Sequence, residues 1–233
     1  MKINKLDREA KRHLRVLNQT EPITRDVEKG EMEEGASPFS APDAFEPPGA
    51  NQSLPYEEMH EVLQAFRDDH EGALGEMDRF EHDIENALRE EDSLALAQAF
   101  KRFFEYAEEI LVHNRREEKV LFPLLAKRLV ESGECSTGRV PTTAIDVLEA
   151  DHLALLQSSV LALNFIALAE RISDAESSQF VERSAVQQAR RFVKTLRLHI
   201  FREDDVLFSL AQKLISTEEF DEMLTRLSPD LDS

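Results

Sequence analysis

Cysteine, tryptophan, glycine and basic charge are all scarce in this chain, and the shortages exclude several classes of protein. One cysteine, Cys135, among 233 residues allows no disulfide framework within the chain and no cysteine-based metal site. Its place in a Ser/Gly-rich connection reads as a tolerated loop thiol. There are only 7 Gly and 9 Pro, with 41% hydrophobic and 32% charged residues, a composition that suits a helical soluble protein. A formal net charge of -19 argues against nonspecific nucleic-acid binding. No apolar run approaches the ~18 residues of a membrane span, the longest being Val160 to Ala169, interrupted by Asn164. The basic N-terminus is not followed by an apolar core, so no secretory signal is read there and a cytoplasmic location is expected.

What the chain does have is helical periodicity. Residues 1–20 space Ile3, Leu6, Ala10, Leu14 and Leu17 as one face of a short helix and carry Lys2, Lys5, Arg8, Lys11, Arg12 and Arg15. Such a basic helix suits packing on the acidic body of this chain or of a second copy; docking to another molecule or a membrane surface is the other reading. Residues 21–54 hold most of the prolines and no period, as a linker or surface arm does.

From Pro55 onward four long amphipathic patterns follow, over roughly 55–90, 93–132, 142–173 and 177–215. Their inward rows begin Met59-Leu63-Phe66-His70, Leu96-Ala99-Phe103-Tyr106, Ile145-Leu148-His152 and Val186-Ala189-Phe192. The first row runs on to Leu88, the second to Val120 and Leu124, the third through Leu163 to Ile166, and the fourth to Val206 and Leu210. His60 and His82 fall off the first row and are expected to face solvent. Asp92 reads as an N-cap, Thr142 or Thr143 as another, and Pro123 as a kink or an end to regular helix. Ser216-Thr217-Glu218-Glu219 reads as a capping box for a short helix through Leu227, stopped by Pro229. The expected fold is all-α: an antiparallel up-down-up-down four-helix bundle over 55–215, an N-terminal helix and arm over 1–54, and a short C-terminal helix over 216–233.

The bundle sequence is duplicated. Shifted by 86 positions, His113, Arg116, Glu117 and Val120-Leu121-Phe122 meet His199, Arg202, Glu203 and Val206-Leu207-Phe208. Shifted by 82, Asp69-His70 meets Asp151-His152. His70, His113, Glu117, His152, His199 and Glu203 all stand on inward rows, which otherwise read Leu, Ile, Phe and Ala. A buried unpaired carboxylate costs several kcal/mol. No Lys or Arg lies inward to neutralise these two, because Arg116 and Arg202 point about 100° away on their helices. Residues four apart share a helix face, about 6 Å from each other, so each His-x3-Glu pair is able to reach a common cation. Four imidazoles and two carboxylates without thiolate suit iron or manganese better than structural zinc, and six ligands suit two ions.

The His-x3-Glu-Glu-x2-Leu-Phe-Pro run at 113–123, with its degenerate repeat at 199–208, resembles the hemerythrin-like, or HHE cation-binding, family. The resemblance covers 55–215. It implies a carboxylate- and oxo-bridged centre of two iron ions, with His70, His113, His152 and His199 as terminal ligands and Glu117 and Glu203 as bridges. Two departures stand out. The oxygen carriers of the family have His-x3-His on the third helix, where this chain has Leu156. They use His-x4-Asp on the fourth, where Asp204 is available beside Glu203. The ferritin-like pattern Glu-x-x-His occurs once, at Glu149 and His152, without a second copy.

The function expected from this pattern is binding or sensing of oxygen, nitric oxide or peroxide at a di-iron centre. A di-iron redox enzyme, reducing nitric oxide or peroxide or serving iron-centre repair, is the second reading, and a purely structural metal the third. A homo-oligomer through the N-terminal arm is the one protein partner expected. Tyr106 reads as a core aromatic with its hydroxyl satisfied elsewhere, hydrogen bonding near the metals being the other reading.

Overall fold

The computed structural model describes residues 54–137 and 139–227. The N-terminal helix and Pro-rich arm, and the stop at Pro229, lie outside the described residues. A 3-10 turn at Tyr56–Glu58 leads into α1 (Glu61–Glu90); α2 (Ser93–Arg116) runs through a π-helical turn (Glu117–Leu121) into α3 (Phe122–Ser132). After a connection come α4 (Ala144–Ala169) and α5 (Ala175–Arg202), which runs through a second π turn (Glu203–Leu207) into α6 (Phe208–Leu214); α7 (Thr217–Leu227) ends the described chain. No strand occurs among the described residues.

Local chemistry sets most of the ends. The carboxylates of Asp92 and Asp174 cap α2 and α5, and Thr143 with Asp146 forms a capping box on α4. Ser216 and Glu219 cap α7 reciprocally, as the sequence predicts. Gly133 closes α3 with φ 86, a left-handed conformation that glycine adopts without strain, and Glu134 N–H reaches back to the Leu129 carbonyl. His60, expected to face solvent, instead caps α1 and stacks on Phe220 at 4.7 Å. Pro55 starts the 3-10 turn, not α1 itself.

Two apolar clusters fill the bundle, and a polar layer separates them. Met59 to Phe66, Leu121 to Leu129, Ile145, Leu148 and Leu207 to Ala211 form one cluster, against which α7 also packs. Ala73 to Ala87, Leu96 to Ile110, Leu155 to Ile166 and Ala185 to Ile200 form the other. Going along the chain, α1 and α4 leave the first cluster for the second, whereas α2 and α5 run the opposite way. The helices therefore alternate up and down, as an antiparallel bundle does. Each meets the polar layer at its histidine.

The π turns correct the inward rows. A π turn carries one more residue per turn than the α-helix around it. After Glu117 it is Leu121, Phe122, Leu125 and Leu129 that are buried, in place of Val120 and Leu124. After Glu203 it is Leu207, Phe208 and Ala211, in place of Val206 and Leu210. Pro123 neither ends the helix nor causes the turn, since the second turn has Ser209 in the equivalent place. Leu88 and Leu163 also lie outside the core, with Ala87 and Ala162 buried instead.

Helix α4 is apolar nearly all round, and by length and composition alone it would cross a membrane. Its uncharged stretch runs from His152 to Ala169, longer than the run from Val160 recognised in the sequence. It packs on α2 and α5 and carries His152 into the polar layer, which is the work of a core helix. Leu153, Leu156, Val160 and Leu163 lie exposed on it.

Candidate metal centre

All six predicted residues meet in the polar layer. They form two overlapping groups, His70-His113-Glu117-Glu203 and Glu117-His152-His199-Glu203, each with one ligand atom per residue within 4.8 Å of the others. Glu117 and Glu203 belong to both groups, and both are fully buried. The π turns bring this about: each starts at its glutamate, on the turn after a histidine, and keeps the following leucine and phenylalanine in the core.

The spacing is that of ligands around an ion. Nε2 of His70 lies 3.1 Å from Nε2 of His113, and His152 and His199 repeat the distance at 3.1 Å. Glu203 oxygen stands 3.1 Å from His70 and 3.3 Å from His199. Glu117 oxygens stand 3.3 Å from His113 and 3.5 Å from His152. Ligands bound at ~2.1 Å and at right angles about one ion are ~3.0 Å apart. Despite this closeness, none of the four glutamate oxygens has a hydrogen-bond partner of acceptable geometry. Nitrogen and oxygen atoms converge on shared points instead of donating to one another, and the residues thus fit a pair of cations.

Every imidazole has a carboxylate behind it. Nδ1 of His70 donates to Asp204 at 2.8 Å, Nδ1 of His113 to Asp69 at 3.0 Å, and Nδ1 of His152 to Glu118 at 2.7 Å. Nδ1 of His199 stands 3.7 Å from Asp151, beyond hydrogen-bond reach. A carboxylate accepts only, so it holds the proton on Nδ1 and leaves the Nε2 lone pair facing inward, as a metal-ligating histidine requires. Arg116 pairs with Asp69, and Arg202 with Asp151 at 2.6 Å. The arginines do point away from the glutamates, and they anchor the carboxylates behind the histidines.

Asp204, the alternate bridge, is therefore placed behind His70, while Glu203 sits in both groups. Asp69, Asp151 and Glu118 were not read as site residues. The signal for them lay in the duplication itself, which repeats Asp69 as Asp151, Arg116 as Arg202, and Glu118 as Asp204. The position of the carriers' fifth histidine, Leu156, is exposed and Glu149 is solvated.

The charge balance has a visible effect on the imidazoles. Six carboxylates face two guanidinium groups, a surplus of four negative charges that two divalent ions would offset. Burial acts to lower His70, but its hydrogen bond to Asp204 and the negative charge of Glu203 beside it outweigh this and push it up to about 10. Burial also opposes the rise at His113, which Glu117 and Asp69 push up to about 9. His152 is raised too, by Glu117 and Glu118 against its burial. Glu117 is held well below the ordinary carboxylate range, with His113 the largest influence overcoming its burial.

Aromatic rings close the layer on one side. Phe208 stacks on His70 at 5.7 Å and Phe122 on His152 at 5.6 Å, while Phe66 meets His113 edge-on. On the opposite side a cavity of about 460 Å³ reaches His70, His113 and His199. Tyr106 lines it, and so does Asn114, buried with neither amide atom hydrogen-bonded. Leaving a buried polar group unpaired costs ~1–3 kcal/mol.

The hemerythrin HHE cation binding domain matches residues 61–211. The chain belongs to that family. The hemerythrin domain thus spans every residue of the six-residue cluster and the carboxylates behind it, and its cation-binding character agrees with the His/Glu groups. No curated protein and no solved structure matches the chain.

Proposed function

We propose that this hemerythrin-family chain holds two iron ions and binds a small ligand at them: oxygen, nitric oxide or peroxide. The observation that carries the reading is the overlap of the two His/Glu groups on a shared pair of fully buried glutamates. His70 and His113 would hold one ion, His152 and His199 the other, and Glu117 and Glu203 would bridge them. Imidazole and carboxylate without thiolate favour iron. Bound iron supplies a change of oxidation state and open coordination positions.

The chain's own residues supply the rest. Asp204, Asp69 and Glu118 fix the imidazole tautomers and orientations. Phe122 and Phe208 close the side of the layer opposite the cavity against water. The cavity beside Ala73 and Tyr106 gives a small molecule an approach to three imidazoles, which an ion with a structural role alone would not need.

Metal content per chain, on protein purified without added metal, tests the reading together with an optical spectrum in air. About two irons per chain, with near-ultraviolet absorption that changes on adding oxygen, nitric oxide or peroxide, is the expected result. Zinc, or iron that no small ligand perturbs, would sink it. Steady-state turnover with an electron donor would move the assignment from binding to catalysis.

A further inference from the structure

The duplication that builds the metal centre is broken on one side of it. Shifting by 86 positions, Tyr106 answers to Phe192 and Asn114 to Ile200; shifting by 82, Ala73 answers to Leu155 and Gly72 to Ala154. Leu155 and Phe192 are packed into the core and do not line the cavity; Ile200 is packed there too and forms part of its wall. Their counterparts Ala73, Tyr106 and Asn114 all line the cavity. The half that lines it thus has a smaller residue, Ala73, and two polar groups where the other half is apolar.

The polar groups are built in. A Cβ added at Gly72 would stand 3.1 Å from the Tyr106 hydroxyl, so glycine leaves that hydroxyl its room. Asn114 is 4% exposed, and neither its amide nitrogen nor its amide oxygen has a hydrogen-bond partner. A buried amide keeps both a donor and an acceptor in want of partners. The equivalent Ile200 shows that the duplicated fold accommodates an apolar residue at this place. The remaining wall is apolar, from Ile110, Val112, Leu196 and Ile200, and acidic, from Asp69, Glu108 and Glu109. Its one guanidinium, Arg116, is already paired with Asp69. Such a wall gives a purely apolar gas nothing specific to bind, and its carboxylates disfavour an anion that is not itself a metal ligand.

We infer that Asn114 is a recognition residue of the cavity, selecting a small uncharged molecule that both donates and accepts hydrogen bonds and holding it beside His70, His113 and His199. The inference rests on the metal-centre reading for its function and names the class of ligand that the centre receives.

The test uses the full chain, 15N-labelled and loaded with zinc as a diamagnetic, redox-silent ion, with formamide as the uncharged hydrogen-bonding probe and ethane as its apolar counterpart. Formamide is expected to shift the side-chain amide signals of Asn114 and the backbone signals of Ile110 and Ile200, with ethane at least about tenfold weaker. Asn114→Ile, copying the other half, is expected to weaken formamide at least about tenfold. Should that variant fold poorly, Ala73→Leu fills the cavity in the same imitative way and is expected to give the same loss. Unmoved Asn114 signals, equal responses to ethane and formamide, or an undiminished response in a folded variant would each overturn the inference. Metal analysis of the same samples separates the two readings. Metal bound without a formamide response removes the role of Asn114, whereas a formamide response without bound metal removes the metal centre and leaves Asn114 standing.

Discussion

Nδ1 of His70 donates its proton to Asp204, 2.8 Å away and 134 positions further along the chain. The other half mirrors this with His152 and Glu118. Each bond ties a histidine on one helix to the π turn of another, so the ligand set is oriented only when all four helices have assembled. Asp204→Ala is expected to weaken metal binding ~10–100-fold with helix content unchanged. Competition against a chelator, followed by circular dichroism, measures both. An unaltered affinity would mean that the outer carboxylates serve the fold alone.

Glu117 and Glu203 are the two residues common to both groups. A glutamine keeps the volume but removes the negative charge that offsets a cation, so Glu117→Gln is expected to leave one bound ion or none. Glu149→Gln, on the exposed side of α4, is expected to leave the metal content unchanged. Metal analysis by mass spectrometry on both variants decides it; full occupancy in Glu117→Gln would remove that carboxylate from the ligand set.

The inward stripes, the caps at Asp92 and Ser216, and the six-residue cluster were all legible from periodicity and repetition. Apolar positions at helical spacing declare which face is buried, and a histidine or glutamate on that face is conspicuous. The π turns were not legible. Val120 and Leu121 are both apolar, as are Leu124 and Leu125, so an extra residue in the turn leaves no gap in the pattern. The carboxylates behind the histidines escaped for another reason. Asp69 precedes His70 in sequence, yet it serves His113 on the neighbouring helix, a pairing that only the packing of α1 against α2 reveals. The cavity depends on differences between the two halves, which a search for their likeness passes over.

The raised imidazoles give metal uptake a pH dependence with a definite sign. His70 at about 10 and His113 at about 9 lie above the ordinary histidine value of 6.5. Without metal, their protonation therefore stabilises the fold fully below about pH 6.5, and that contribution is lost as pH rises through 9 to 10. A metal ion requires the neutral imidazole and displaces these protons. Loading at pH 7 is expected to release at least about two protons per chain, and apparent affinity to rise with pH up to about 10. Calorimetric titration in buffers of different ionisation enthalpy counts the protons. A count of zero would mean that the histidines are already neutral in the metal-free chain.

The first π turn holds one residue more than an α-helical turn, and its loss is expected to be tolerated by the core. Deleting Lys119, an exposed residue inside it, would return the segment to α-helical register and place Leu121 and Phe122 on that register's inward row, where they already lie buried. Phe122 would keep its stacking on His152. Deleting Lys127, exposed in the regular helix α3, would instead rotate Leu129 and every later side chain by about 100°. Fully burying such a side chain is worth ~1.5–3 kcal/mol. The Lys127 deletion is therefore expected to lower stability by about 1.5–3 kcal/mol, and the Lys119 deletion by under about 1 kcal/mol. Denaturant unfolding of the metal-free protein reads both. Equal losses would mean that the π turn does more than absorb an extra residue, and that the burial of Leu121 and Phe122 depends on it.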